Sequence, residues 1–173
     1  IMSINDQELI DVRKDEKLNL KDLSSYLKNN LKFEFKNVSA MQFSGGHANL
    51  TYLLKLDDKE YVLRRPPLGP IAPSSHDMFR EHRVQSNLNS VFPFAPKSLH
   101  FCDDESIIGS RFHIIERRRG FVIRKEFEPY ISPSKDNLRK LSFKIIDVLS
   151  DLHKINPDEV GLGDLGRPDG FVL

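Results

Sequence analysis

One cysteine, Cys102, stands among 173 residues, so no internal disulfide can brace the chain. No run of about 18 consecutive apolar residues occurs, which excludes a membrane-spanning helix on length alone. The N-terminus reads Asn5-Asp6-Gln7-Glu8 where a secretory signal needs an uninterrupted apolar stretch, and the cytoplasm is therefore the expected compartment. Neither sign of charge dominates: 26 Lys and Arg face 25 Asp and Glu, for a formal charge of +1. With no overall field, nucleic acid, membrane and strongly acidic partners are not expected, and any anion site has to be local. Internal repeats and low-complexity segments are missing as well.

What is present suits one soluble domain. The side chains are 39% hydrophobic, and a chain of this length can bury roughly 70% of its unfolded surface. Ile1 to Asn19 is charged and lacks an apolar period, which predicts a mobile or loosely docked lead-in. Leu20, Leu23, Leu27 and Leu31 then recur at spacings of three and four, predicting a short helix that ends near Asn29-Asn30. Three β-type runs follow, Asn37 to Phe43, Asn49 to Leu56 and Glu60 to Arg65. The turns Ser44-Gly45-Gly46-His47 and Asp57-Asp58-Lys59 join them, and together they read as an antiparallel meander. Pro66-Pro67 breaks the pattern.

A helix of about 13 residues is expected next, capped by Ser74 or Ser75, with Asp77 three after Ser74 as in a capping box. Phe79, Val84 and Leu88 are among its apolar positions. Lys97 to Cys102 and Arg111 to Glu116 complete five strands around this inserted helix. Lys135 to His153 carries the strongest helical period, with Leu138, Leu141, Ile145, Leu149 and Leu152 on one face. Val160 to Leu173 holds four glycines and reads as loop. The fold class is α+β, divided into a lead-in and helix (1–33), a sheet-bearing unit (34–116) and a linker with a helix (117–173).

The order of elements, a glycine hairpin, a strand ending in a cation, a helix bearing a glutamate and two strands running into a linker, resembles the upper lobe of a protein-kinase-like fold. The segments FSGGHANLTYLL, EYVLRRPP, SSHDMFREHRVQSNL, DESIIGSRFHIIERRRG and VLSDLHKINPDEVGLGDLGRP narrow the likeness. They resemble the phosphotransferases of the aminoglycoside and choline kinase type, in the branch of kinase-like domains fused to acyl-CoA dehydrogenases. The resemblance covers about residues 40 to 170 and rests on the ordered set rather than on any one segment.

It implies an ATP site. Gly45 and Gly46 lack a Cβ and would let backbone N–H groups approach phosphates, although a Gly-Gly pair also fits an ordinary hairpin turn. His47 and Asn49 would reach a phosphate from the loop tip, and Leu50 would cover the adenine; a solvent-exposed loop histidine is the alternative for His47. Period-two alternation puts Val62 and Arg64 on one face of their strand, with Arg65 on the other. Val62 would roof the base, and Arg64 would take the place of the kinase lysine, its planar fork suiting phosphate. Glu81, sharing a helical face with Met78, Gln85 and Leu88, would pair with Arg64; the alternatives are a surface arginine and a solvated glutamate. In the linker, the Glu116 carbonyl and the Arg118 N–H would meet the adenine edge, with Ile115 behind them. Arg117-Arg118-Arg119 also fits a nucleic-acid patch, which the neutral net charge and the lack of interleaved aromatics disfavour. His153, in a last helical turn, reads as structural.

Phosphoryl transfer also needs a catalytic-loop aspartate, an asparagine and a second aspartate that hold Mg2+. Asp158, Asp164 and Asp169 lie after His153, none in a His-Gly-Asp or Asp-x-Asp setting. No catalytic residue and no metal ligand is therefore assigned to this chain, and the Mg2+ ligands are expected in a further lobe. The acceptor implied is a small-molecule hydroxyl, with a hydroxyacyl-CoA suggested by the dehydrogenase-linked branch. A noncatalytic nucleotide-binding or assembly module is the alternative. Five apolar side chains on helix 135–153 represent roughly 7–15 kcal/mol if fully buried, so that face is expected to dock, with a homodimer as the expected partner.

Overall fold

The computed structural model describes residues 9–45, 48–70, 75–120 and 134–166. Among them an antiparallel sheet of six strands runs in the order β1-β2-β3-β4-β6-β5. The strands are β1 (Leu9–Ile10), β2 (Val38–Phe43), β3 (Leu50–Leu56), β4 (Lys59–Arg65), β5 (Ser98–Cys102) and β6 (Phe112–Glu116). The helices are α1 (Leu20–Asn30), α2 (Met78–Leu88) and α3 (Lys135–His153). The expected meander is present as β2-β3-β4, and α2 is inserted between β4 and β5.

The sixth strand comes from the segment expected to be a lead-in. Leu9 pairs with Phe43 and Ile10 with Gln42, and Lys14–Glu16 forms one 3-10 turn. What fixes it is polar: the Gln42 side chain, 1% exposed, accepts from the Arg13 backbone N–H at 3.0 Å. An apolar-period reading has no means of registering such a contact. Residues 1–8 lie outside the described residues.

One face of the sheet and α1 enclose the core. Asn19 caps α1 by accepting from the Asp22 N–H at 3.2 Å, and the four-residue spacing of Leu23 and Leu27 puts both on the sheet at 0% exposure. Tyr52, Leu54, Leu56, Leu63, Phe112 and Ile114 meet them from β3, β4 and β6. Arg65 is buried among these apolar groups at 2% exposure. Its guanidinium donates to the Tyr52 hydroxyl at 2.9 Å, the Ile108 carbonyl at 3.0 Å and the Glu16 carbonyl at 2.9 Å. A buried charge needs such partners, and they tie the 3-10 turn to the sheet. The β3–β4 turn holds Asp57 at φ 52°, a left-handed conformation that aspartate tolerates.

α2 departs from expectation at its start. Asp77, not Ser75, is the N-cap, accepting from the Arg80 N–H at 3.0 Å, and the helix has 11 residues. Ser74 lies outside the described residues. The capping-box reading put the acid inside the helix, yet Asp is itself a strong cap and takes that role. Phe79 is 52% exposed instead of apolar-face buried, its ring lying edge-on to Phe101 at 5.4 Å, and Met78 is the buried residue of this helix. α3 spans the expected residues, capped by Ser134, and none of its side chains is buried.

Candidate functional site

Residues directly opposite one another on paired strands share a face of the sheet. Arg64 lies opposite Thr51 and His113, and Val62 lies opposite Leu53 and Ile115. These six side chains occupy the face away from α1. Arg65 lies opposite Leu50, and Leu63 opposite Tyr52 and Ile114, on the core face. Leu50 is therefore on the wrong side for the role expected of it: it is 7% exposed, belongs to the core, and shares no face with Arg64. The phase of β3 is the reason, because Thr51 is the residue that pairs with Arg64. Thr51 and Leu53 are the β3 residues that share the face of Arg64.

α2 brings Glu81 to the same place. Arg64 Nε lies 2.9 Å from Glu81 Oε2, and Arg64 Nη2 donates to Oε1 at 3.4 Å. The Nε–H is not aimed at the carboxylate, so charge attraction carries this pair more than hydrogen-bond geometry does. The two side chains are 31% and 29% exposed, partly shielded from water. Two further donors reach the carboxylate. Asn49 Nδ2 donates to Oε1 at 2.7 Å, and His113 Nε2 lies 3.2 Å from Oε2. Burial raises the pKa of Glu81, but the His113 hydrogen bond and the Arg64 charge outweigh it, holding the carboxyl below its ordinary value of 4.5.

The chemistry of the partners fixes several hydrogens. A carboxylate accepts only, so Asn49 must present its amide nitrogen to Glu81 and its carbonyl oxygen to His76, whose Nδ1 stands 2.7 Å away. His76 Nδ1 then carries the proton. By the same logic His113 donates from Nε2, while its Nδ1 is buried without a hydrogen-bond partner. His76 adopts φ 57°, outside the usual range for a residue with a Cβ.

Of the remaining expected residues, Gly45 lies in the β2–β3 turn, and Gly46 and His47 lie outside the described residues. Asn49 is 8% exposed and turned inward, so its amide is engaged by Glu81 and His76 instead of pointing from the loop tip. Ile115 is 7% exposed beside Val62. Glu116 donates its N–H to the Lys97 carbonyl at 2.8 Å and its carboxylate accepts from the Lys97 N–H at 3.1 Å. Arg118 pairs with Glu116 at 3.0 Å and donates to the carbonyls of Pro93 and Ala95. Arg117 and Arg119 both meet Glu60. All three linker arginines are thus engaged within the chain.

A cleft of about 510 Å³ opens beside the ion pair, lined by Arg64, Arg80, Glu81, Val84, Gln85 and Leu165. On the same sheet face the partly exposed Val62 stands about 7 Å along β4 from Arg64, whose guanidinium carries N–H groups beyond those that face Glu81. Among the described residues no three His, Cys, Asp or Glu side chains are grouped to hold a metal ion. The segment after α3 reaches back to α2, where Arg83 pairs with Asp164 through two nitrogens and Asn87 donates to the Val160 carbonyl at 2.7 Å. His113 escaped the sequence reading. The one signal for it was a lone histidine, second in the largely apolar strand FHIIE.

Comparison with known proteins agrees with this architecture. A family model described as a phosphotransferase enzyme family, APH, matches residues 39–173. Acyl-CoA dehydrogenase family member 11 of Gallus gallus is 34% identical over 135 residues, 78% of this chain and 17% of its own length. The Homo sapiens protein of that name is 30% identical over 171 residues, 96% of this chain and 22% of its own length. The chain spans about a fifth of these relatives. A solved structure from Ralstonia eutropha, described as that of a candidate aminoglycoside phosphotransferase, superposes with a TM-score of 0.71 at 26% identity, over 88% of this chain and 43% of the other. With the family model matching most of its length and the kinase-like fold in place, the chain belongs to the APH phosphotransferase enzyme family.

Proposed function

We propose that this chain is the ATP-binding part of a phosphotransferase that passes the γ-phosphate to the hydroxyl of a small molecule. The observation that carries the reading is the Arg64–Glu81 pair, 2.9 Å apart, on the same sheet face as Val62 and Ile115 and next to the glycine hairpin. ATP with Mg2+ supplies the transferable phosphoryl group. The chain's residues do the holding: the partly exposed Val62 offers apolar contact to the base with the buried Ile115 packed beside it, Arg64 offers charged donors to the phosphates, and Glu81 keeps the guanidinium in place. The domain reading places these groups in 34–116, with 117–173 as the linker and the start of a second lobe that brings the acceptor. The acceptor in this reading is an acyl thioester carrying a hydroxyl, and its support is that the relatives are named acyl-CoA dehydrogenase family member 11.

The test is transfer of label from γ-labelled ATP by the full-length gene product, with hydroxyacyl-CoA and aminoglycoside acceptors offered separately. Label on a hydroxyacyl-CoA is expected. Label on an aminoglycoside alone would contradict the acceptor, and ATP binding without any transfer would favour the noncatalytic module. The uncovered apolar side chains of α3, Ile145 at 58% and Ile146 at 61%, favour that second reading where assembly is concerned.

A further inference from the structure

Asn49 and His113 come from two different elements and converge on one carboxylate. Asn49 stands at the end of the glycine hairpin, immediately before β3, and grips Glu81 Oε1 at 2.7 Å. His113 stands on β6, fully buried, with Nε2 3.2 Å from Oε2. A carboxylate held by one cation can turn about its last torsion, because that rotor is broad. With a separate donor on each oxygen the carboxylate is fixed, and the place of its charge decides where the guanidinium attracted to it lies. Asn49 is held in turn by His76, whose backbone is in the left-handed region at φ 57°, a conformation that costs energy and recurs at functional sites. Neither Asn49, 8% exposed, nor His113, 0% exposed, offers its gripping atom to solvent.

We propose that Asn49 and His113 are positioning residues for Arg64 acting through Glu81: they clamp the two carboxylate oxygens, locking the start of β3, α2 and β6 around the guanidinium before any nucleotide arrives. The inference rests on the reading of Arg64 as a phosphate-binding residue. It assigns Asn49 a latch rather than a phosphate contact, and it gives a buried histidine a purpose that packing alone does not.

The test measures ATP and adenosine affinities, by ligand-observed NMR, for the wild-type protein, Arg64→Ala, Asn49→Ala, His113→Phe and His113→Gln. Phenylalanine keeps the ring volume and removes the donor, whereas glutamine returns an amide N–H near the Nε2 position. ATP Kd is expected to rise about tenfold in Asn49→Ala and His113→Phe, the scale of one lost charge-assisted hydrogen bond, with adenosine Kd unchanged. His113→Gln is expected to recover most of the ATP affinity. A merely structural role would weaken ATP and adenosine in parallel, and that result overturns the inference, as does wild-type ATP affinity in both clamp variants while Arg64→Ala is impaired. If wild-type protein does not bind ATP, or Arg64→Ala binds it unchanged, the phosphate-site reading itself falls and the inference with it.

Discussion

A carboxylate that keeps its charge while partly buried needs donors, and Glu81 receives them from β4, from β6 and from the end of the glycine hairpin. Its folded pKa lies below the ordinary 4.5. A depressed carboxyl contributes stability that is present above the unfolded pKa and lost as pH falls through the folded one. Thermal midpoints of Glu81→Gln are therefore expected to fall less steeply than wild type as pH drops below 4.5, and parallel slopes would contradict the pairing. At this scale the sequence was legible in part. Period two placed Val62 and Arg64 together and Arg65 opposite, and the order of elements placed Glu81 nearby. Leu50 falls on the core face because its neighbour Thr51 is the residue paired with Arg64, a register that strand composition does not reveal. Arg65 and His113 were not recognised as partners because their contacts join residues 49 and 32 positions apart, a separation no local pattern records.

Helix and strand extents follow periodicity, and their ends follow polar chemistry. α3 has the extent its leucine and isoleucine spacing predicts, and β2, β3 and β4 fall where the β-branched and aromatic runs lie. β1 escaped because two residues carry no readable period; it is recruited through Gln42 and the buried Arg65 rather than by an apolar stripe. The start of α2 was misplaced because serine and aspartate are comparable caps and the sequence offers both. Asp77→Ala is expected to cost about 1 kcal/mol, lowering the thermal midpoint by roughly 2–4 °C for a chain of this size. Equal midpoints for Asp77→Ala and wild type would show that the cap contributes nothing.

For the molecule as a whole, the sheet and α1 bury a continuous core, while α3 leaves Phe143, Ile145, Ile146 and Leu149 between 44% and 61% exposed. Apolar patches of this kind mark association surfaces. Self-association through α3 is the proposal: light scattering on this chain at high concentration is expected to report a dimer, and Ile146→Glu a monomer. A wild-type monomer under the same conditions, or an Ile146→Glu dimer, would dismiss it. Spacing marks Ile145 and Leu149 as part of an apolar stripe but not Phe143 and Ile146, which lie off it, while Leu138, Leu141 and Leu152 are half-buried; what covers the exposed residues is not legible, since a partner leaves no mark on the period of the helix that meets it. The turn segment after α3 is tied to α2 through Arg83 and Asp164, so the helix that carries Glu81 is braced from both sides, by the sheet and by the chain that follows α3.

The most direct measurement is a crystal structure of the protein with Mg2+ and a non-hydrolysable ATP analogue. The base is expected against Val62, with Arg64 donating to an α- or β-phosphate oxygen while Glu81 still holds it. An analogue bound on another surface, or phosphates out of reach of Arg64, would contradict it.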